Sequence, residues 1–136
     1  MSANGSLRQH PSRHPHCDLP GDPSLILTTN VDLGDDKLAI MKELSSLVAK
    51  VTGKPESYVG ECGCTVCITD NASMLFGGSC LYSLGGIDRA NNGKVQAGVT
   101  DVFEKRGLGI AQDRIYINFF DMPRECVGWN RATFAG

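Results

Sequence analysis

The chain has 136 residues, the size of one compact domain rather than two, and its 41% apolar and 21% charged content exclude a wholly disordered polymer. A formal net charge of -2 and a pI near 5.9, with no Lys/Arg cluster, give no electrostatic footprint for nucleic acid. No run approaches the roughly 18 to 20 apolar residues that span a bilayer, so no membrane partner is expected.

Residues 1–22 combine Ser, Asn, Gly, Pro, His and Arg with few apolar positions, and are expected to form a flexible N-terminal extension. They carry no apolar signal-peptide core, which points to synthesis in the cytosol. All three histidines, His10, His14 and His16, lie here, so the body holds no histidine base or zinc ligand, and "HPSRHPH" lacks ligand spacing set by a fold. No metal site is expected. The six cysteines, Cys17, Cys62, Cys64, Cys67, Cys80 and Cys126, are expected as free thiols in that compartment.

The body opens with "LILTT" from Leu25, an aliphatic and β-branched strand. Next, "DLGDDKLAIMKELSSLVAKVTGKP" places Asp35 and Asp36 at a helix start and spaces Leu38, Met41, Leu44, Val48 and Val51 as one apolar stripe. Gly53 supplies the stop and Pro55 prevents continuation. A second strand reads "TVCI", Thr65 to Ile68. "FGG" makes a turn, and a third strand reads "CLYSL", Cys80 to Leu84. After "GGIDRANN" a second helix sets Val95, Val99, Val102 and Phe103 on one side, weakened a little by Gly98. The last strong strand is "RIYINFF", Arg114 to Phe120.

Strand, helix, strand, given twice, predicts an α+β fold. Two βαβ units form a mixed four-stranded sheet with both helices on one face. In "RIYINFF", alternation sends Ile115, Ile117 and Phe119 to the helix side and Tyr116, Asn118 and Phe120 to the open side. Two aromatics on an uncovered face predict an oligomer interface.

The stretches "PSLILTTNV", "TGKPESYV", "MLFGGS", "SLGGI", "DRIYINFFDM" and "VGWNRATFA" together span residues 23–136. As a set they resemble the macrophage migration inhibitory factor and D-dopachrome tautomerase family of the tautomerase superfamily. The resemblance implies a homotrimer whose active sites lie between neighbouring subunits. It implies keto-enol tautomerisation of phenylpyruvate-type (small aromatic 2-oxo acid) and dopachrome-like substrates. It also implies a cytokine-like role through a cell-surface receptor, reached by export without a signal peptide.

By that resemblance Pro23 is the catalytic base. Lys54 of "TGKP", the following Tyr58, Leu84 after Ser83, and Trp129 and Phe134 contact substrate, while Tyr116 and Asn118 come from an adjacent subunit. The chemistry suits these types. Tautomerisation needs a base near the operating pH and a positive group where enolate charge develops, and it needs no cofactor. A free α-amine titrates near 7.7 to 8.0 in model peptides, and an apolar pocket or a cation such as Lys54 lowers it further. Lys54 would also pair with a substrate carboxylate. Taken singly, Lys54 reads as a solvated turn residue, Pro23 as a strand-edge proline, and Tyr116 and Trp129 as core or interface residues.

Two departures from the family pattern stand out, and the second contains a C-x-x-C. With residues 1–22 attached, the Pro23 nitrogen is an amide whose lone pair is delocalised into the Asp22 carbonyl, and it accepts no proton. A catalytically silent trimeric binding or signalling protein is then the alternative. The segment near "GECGC" is longer than the family spacing and the stretch after Gly78 shorter. Finally, "CTVC", Cys64 to Cys67, has the spacing of a redox pair, but strand alternation would set the two thiols on opposite faces.

Overall fold

A computed structural model describes residues 23–59, 63–66 and 79–136. The expected extension 1–22, the "FGG" turn, Cys67 and most of the altered-length segment lie outside the described residues.

Alternation in "SLILTT" builds the first strand, β1 (Ser24–Thr29), in which Leu25, Leu27 and Thr29 are buried and the residues between them half-buried. A 3-10 turn (Gly34–Asp36) leads into helix α1 (Lys37–Thr52), so the two aspartates precede the helix rather than begin it. Gly53, at φ +72, ends α1 in the left-handed conformation that glycine adopts without a Cβ penalty. Strand β2 (Gly63–Val66) runs parallel to β1, with Ile26 paired to Gly63 and Thr29 to Val66. Strand β3 (Cys80–Ser83) is antiparallel to β1, pairing Leu81 with Leu25. Helix α2 (Arg89–Lys105) begins at Asp88, whose side chain accepts from Asn91 N, and strand β4 (Asn118–Asp121) runs parallel to β3. The sheet order β2-β1-β3-β4 is the expected mixed sheet of two βαβ units. A small hairpin, β5 (Gly128–Trp129) and β6 (Ala132–Thr133), follows.

Leu25, Leu27 and Leu81 from the sheet pack against Ile40, Leu44 and Val48 of α1 and Val95, Val99 and Phe103 of α2. Both helices therefore cover one face. The α2 stripe is as the sequence predicts, with Val102 half-buried beside it. In α1 the stripe differs. Leu38 is 62% exposed and Met41 half-buried, while Ile40 is fully buried. The geometry explains it: residues four apart, as in Ile40, Leu44 and Val48, drift only about 40° around a helix, whereas Leu38 and Leu44, six apart, stand about 240° apart.

The last strand is also shorter than predicted. Residues 112–114 form a 3-10 turn, Ile115 is extended, and the ladder starts at Asn118, whose N–H donates to Ser79 O. Among the described residues its partner strand begins at Cys80, and the residues in register with Ile115 and Tyr116 lie outside the described residues. The predicted alternation holds: Ile115 is buried, whereas Tyr116 (58% exposed) and Phe120 (43%) are open.

Gly98 has a packing role. A Cβ there would stand 2.5 Å from Leu47 Cδ1 and 2.6 Å from Cδ2, so the missing side chain lets α1 and α2 approach. Gly98→Val should cost about 1 to 3 kcal/mol by overpacking. The same substitution in a Leu47→Ala background should cost less, and a denaturant double-mutant cycle measures the difference.

Across the helix pair, Arg106 Nη2 lies 2.7 Å from Glu43 Oε1 and Nη1 3.7 Å from Asp36 Oδ1, with Lys105 Nζ 3.4 Å from Glu43. The hydrogen bond from Arg106, more than any other contact, holds the Glu43 carboxyl below its usual 4.5. A depressed carboxyl stabilises the fold above its unfolded value and loses that contribution as pH falls through its folded value. The stability gap between the native chain and Arg106→Gln should thus be constant above about pH 5 and close as pH falls below about 4, as seen in melting curves across pH.

Candidate functional site

The loop between α1 and β2 turns on Gly53, where Lys54 N–H donates to Ala49 O. That turn directs the next side chain inward. Lys54 is 4% exposed, unlike the solvated turn residue it resembles in isolation. Its Nζ donates to Ser83 Oγ at 2.6 Å and to Leu84 O at 2.9 Å. Ser83 Oγ donates in turn to Gly85 O at 2.7 Å, and Gly85 N–H donates to Asp121 Oδ1 at 3.0 Å. A buried ammonium is tolerated only where acceptors replace water, and this chain of oxygens at the end of β3 supplies them.

Pro23, immediately before β1, is buried. The antiparallel pairing sets Ser24 opposite Tyr82, and continued by one residue it sets Pro23 across from Ser83, the hydroxyl that Lys54 holds. Cross-strand neighbours have Cβ atoms roughly 4.5 to 5.5 Å apart. The last pair of that ladder, Ser24 with Tyr82, stands one residue from Pro23 on one strand and one residue from Ser83, which Lys54 holds, on the other.

Beside them opens a cavity of about 360 Å³ lined by Ser24, Tyr82, Ser83, Leu84, Trp129 and Phe134, and by residues 122 and 126–128. Trp129 and Phe134 stack with centroids 6.0 Å apart and planes 21° apart. The β5–β6 hairpin holds this pair through a two-residue turn, Asn130 (φ +51) and Arg131 (φ +67), the positive-φ form that matches strand twist. The result is a mostly apolar, aromatic-walled pocket with a few polar groups at one end, the usual design of a small-molecule site.

Leu84, Trp129 and Phe134 therefore line the cavity, Lys54 is bonded to Ser83 of its wall, and Pro23 immediately precedes Ser24 of the wall. Tyr116 and Asn118 do not line it. Both are exposed, Asn118 in the row of the open sheet face that contains Cys80. Tyr58 ends the turn Glu56–Tyr58, and its side chain lies outside what is described. Cys64 stands in β2, with Cys67 outside the described residues. Among the described residues no group of three or more His, Cys, Asp or Glu could hold a metal ion, and no helix is long and apolar enough to cross a membrane.

Sequence reasoning missed Tyr82, Met122, Cys126 and Val127 in the wall. Tyr82 was findable by period two, because it flanks Leu81 on the other face. There its ring stacks on Phe120 at 4.8 Å. A hydrogen bond with Cys80 raises the Tyr82 hydroxyl above 10.0, so it stays neutral and is no base at ordinary pH. Residues 122–127 lie mostly in a turn with no periodicity to read.

Comparison with known proteins gives consistent results. The sequence profile of the macrophage migration inhibitory factor (MIF) family matches residues 22–135. Macrophage migration inhibitory factor of Meriones unguiculatus is 35% identical over 120 residues, covering 83% of this chain and 99% of that protein. A homologue from Trichuris trichiura is 37% identical over 123 residues, covering 82% and 99%. The crystal structure of a Prochlorococcus marinus homologue aligns with a TM-score of 0.63 at 32% identity, covering 81% of this chain and 97% of that one.

Proposed function

The chain belongs to the macrophage migration inhibitory factor family, and from that premise we propose that residues 23–136 form a keto-enol tautomerase domain whose base is the Pro23 nitrogen, freed when the extension 1–22 is removed. Its substrates are small aromatic 2-oxo acids such as phenylpyruvate, or dopachrome-like compounds.

The observation that carries this reading is the buried ammonium of Lys54, held on Ser83 across from Pro23 at the end of an aromatic-walled cavity. A neutral amine there would take the proton from the carbon next to the substrate carbonyl. Lys54 would stabilise charge on the carboxylate and the developing enolate, and return of the proton to a different atom completes the isomerisation. Leu84, Trp129 and Phe134, with Tyr58, would hold the aromatic ring. The exposed Tyr116 and Asn118, on an open sheet face that also carries the Tyr82–Phe120 stack, would complete the pocket of a neighbouring copy in a homotrimer.

The amide at Pro23 favours a second reading, a trimer that binds a cell-surface receptor without catalysis. Phenylpyruvate turnover by chains beginning at Met1 and at Pro23, each sized in solution, separates the two. Turnover by the Pro23 chain alone supports the enzyme, and a folded, trimeric but inactive Pro23 chain overturns it. Intact-mass measurement on the native protein then identifies its N-terminal residue.

A further inference from the structure

Asp121 lies near the end of the "DRIYINFFDM" stretch and takes no direct part in the cavity. It is exposed, between Phe120 and the wall residue Met122. Its Cα stands in register with Ser83 in the last pair of the β3–β4 ladder, and the next N–H along the chain, that of Met122, donates to Ser83 O at 2.8 Å. Just past Ser83 the backbone leaves the ladder through two glycines in the left-handed conformation, Gly85 (φ +79) and Gly86 (φ +72). That turn takes the Gly85 N–H off the sheet, and a backbone donor displaced from a ladder needs another acceptor. The Asp121 carboxylate is that acceptor, at 3.0 Å.

The other end of the same peptide group holds Lys54. Leu84 O and Gly85 N belong to one planar, conjugated amide. Leu84 O accepts from Lys54 Nζ at 2.9 Å while Gly85 N–H donates to Asp121 Oδ1 at 3.0 Å. An exposed carboxylate and a buried ammonium are therefore bonded to opposite ends of one amide. Each strengthens the other's hydrogen bond, because electron density drawn from the nitrogen toward the oxygen makes a better N–H donor and a better C=O acceptor. Ser83 joins the same groups by a second route, accepting from Lys54 Nζ at 2.6 Å and donating to Gly85 O at 2.7 Å.

We propose that Asp121 is a positioning residue, whose carboxylate holds the Lys54 ammonium in place through the Leu84–Gly85 peptide group. It touches no substrate. Its catalytic consequence rests on the tautomerase reading, in which Lys54 meets the substrate carboxylate and the developing enolate.

The test uses Asp121→Ala, which removes the acceptor, and Asp121→Asn, which keeps an oxygen acceptor without the charge. In the full-length chain, labelled lysine and glycine give NMR signals for the Lys54 ammonium and the Gly85 amide. Both variants should move both signals, and the Lys54 N–H protons should exchange with water at least about tenfold faster in Asp121→Ala, with Asp121→Asn between it and the parent. A carboxylate that only closes the turn would move the Gly85 amide alone. In the chain beginning at Pro23, kcat/KM for phenylpyruvate should fall about tenfold in Asp121→Ala and about threefold in Asp121→Asn. The loss should be smaller for phenylpyruvate methyl ester, which lacks the carboxylate that Lys54 meets. Where Asp121→Ala does not fold, Asp121→Asn carries the same comparisons. Unchanged Lys54 signals, or equal losses for acid and ester, would overturn the proposal. A folded Pro23 trimer without turnover sinks the tautomerase reading and leaves the Lys54 signals to decide the positioning role, and a Pro23 chain as active with Asp121→Ala as without it does the reverse.

Discussion

A chain that begins at Pro23 should turn over phenylpyruvate about 100 to 10,000 times faster than one that still carries Asp22, the span expected for a positioned general base. With Asp22 attached, the Pro23 lone pair is shared with a carbonyl and cannot take a proton. With it removed, the nitrogen is a secondary amine beside Ser24 of the cavity wall, and model α-amines titrate near 7.7 to 8.0, close to working pH. Acylating the new terminus should remove the whole gain without unfolding the domain, since the blocked chain restores only the amide. Turnover should rise with pH through the amine's titration, because the neutral form is the base. Enol absorbance gives the rates, and circular dichroism confirms that each form is folded.

Phe103→Ala should destabilise the domain by about 3 to 5 kcal/mol. Phe103 is 2% exposed and reaches from α2 into the cluster formed with Leu25, Leu27 and Leu81 of the sheet and Ile40, Leu44 and Val48 of α1. Truncation removes the transfer free energy of the ring and leaves a cavity that two packed helices and a sheet cannot close. For a domain near 100 residues the melting temperature should fall by more than about 10 °C. A loss under about 1 kcal/mol in urea titration would mean that Phe103 does not bridge the two layers. The same titration on Leu38→Ala should show little change, because that side chain is 62% exposed in the single chain.

The period-two pattern of "LILTT", the α2 stripe through Val95, Val99 and Phe103, the stop at Gly53 and the doubled strand-helix-strand order are all local, and each recurs in the fold. The inward face of α1 was half legible. Its sequence holds two overlapping apolar stripes, and only docking against β1 selected Ile40 over Leu38. The start of β4 differs from the sequence reading, the described ladder beginning at Asn118 opposite Cys80.

The site divides the same way. Motif resemblance named Pro23, Lys54, Leu84, Trp129 and Phe134, but nothing local distinguished Lys54 from any lysine after a helix-ending glycine. What decided its burial was the meeting of two segments 29 residues apart, when β3 brought Ser83 Oγ and Leu84 O to its ammonium. Residues 122 and 126–128 join the wall beside the Trp129–Phe134 stack that the β5–β6 hairpin sets. By itself the sequence determined the two helices, the approximate strands of the main sheet, their order and the amide character of the Asp22-Pro23 bond, since these depend on neighbours along the chain. Only tertiary structure decided which groups face that proline, because a buried charge takes its partners from strand pairing, and that pairing is a property of the whole sheet.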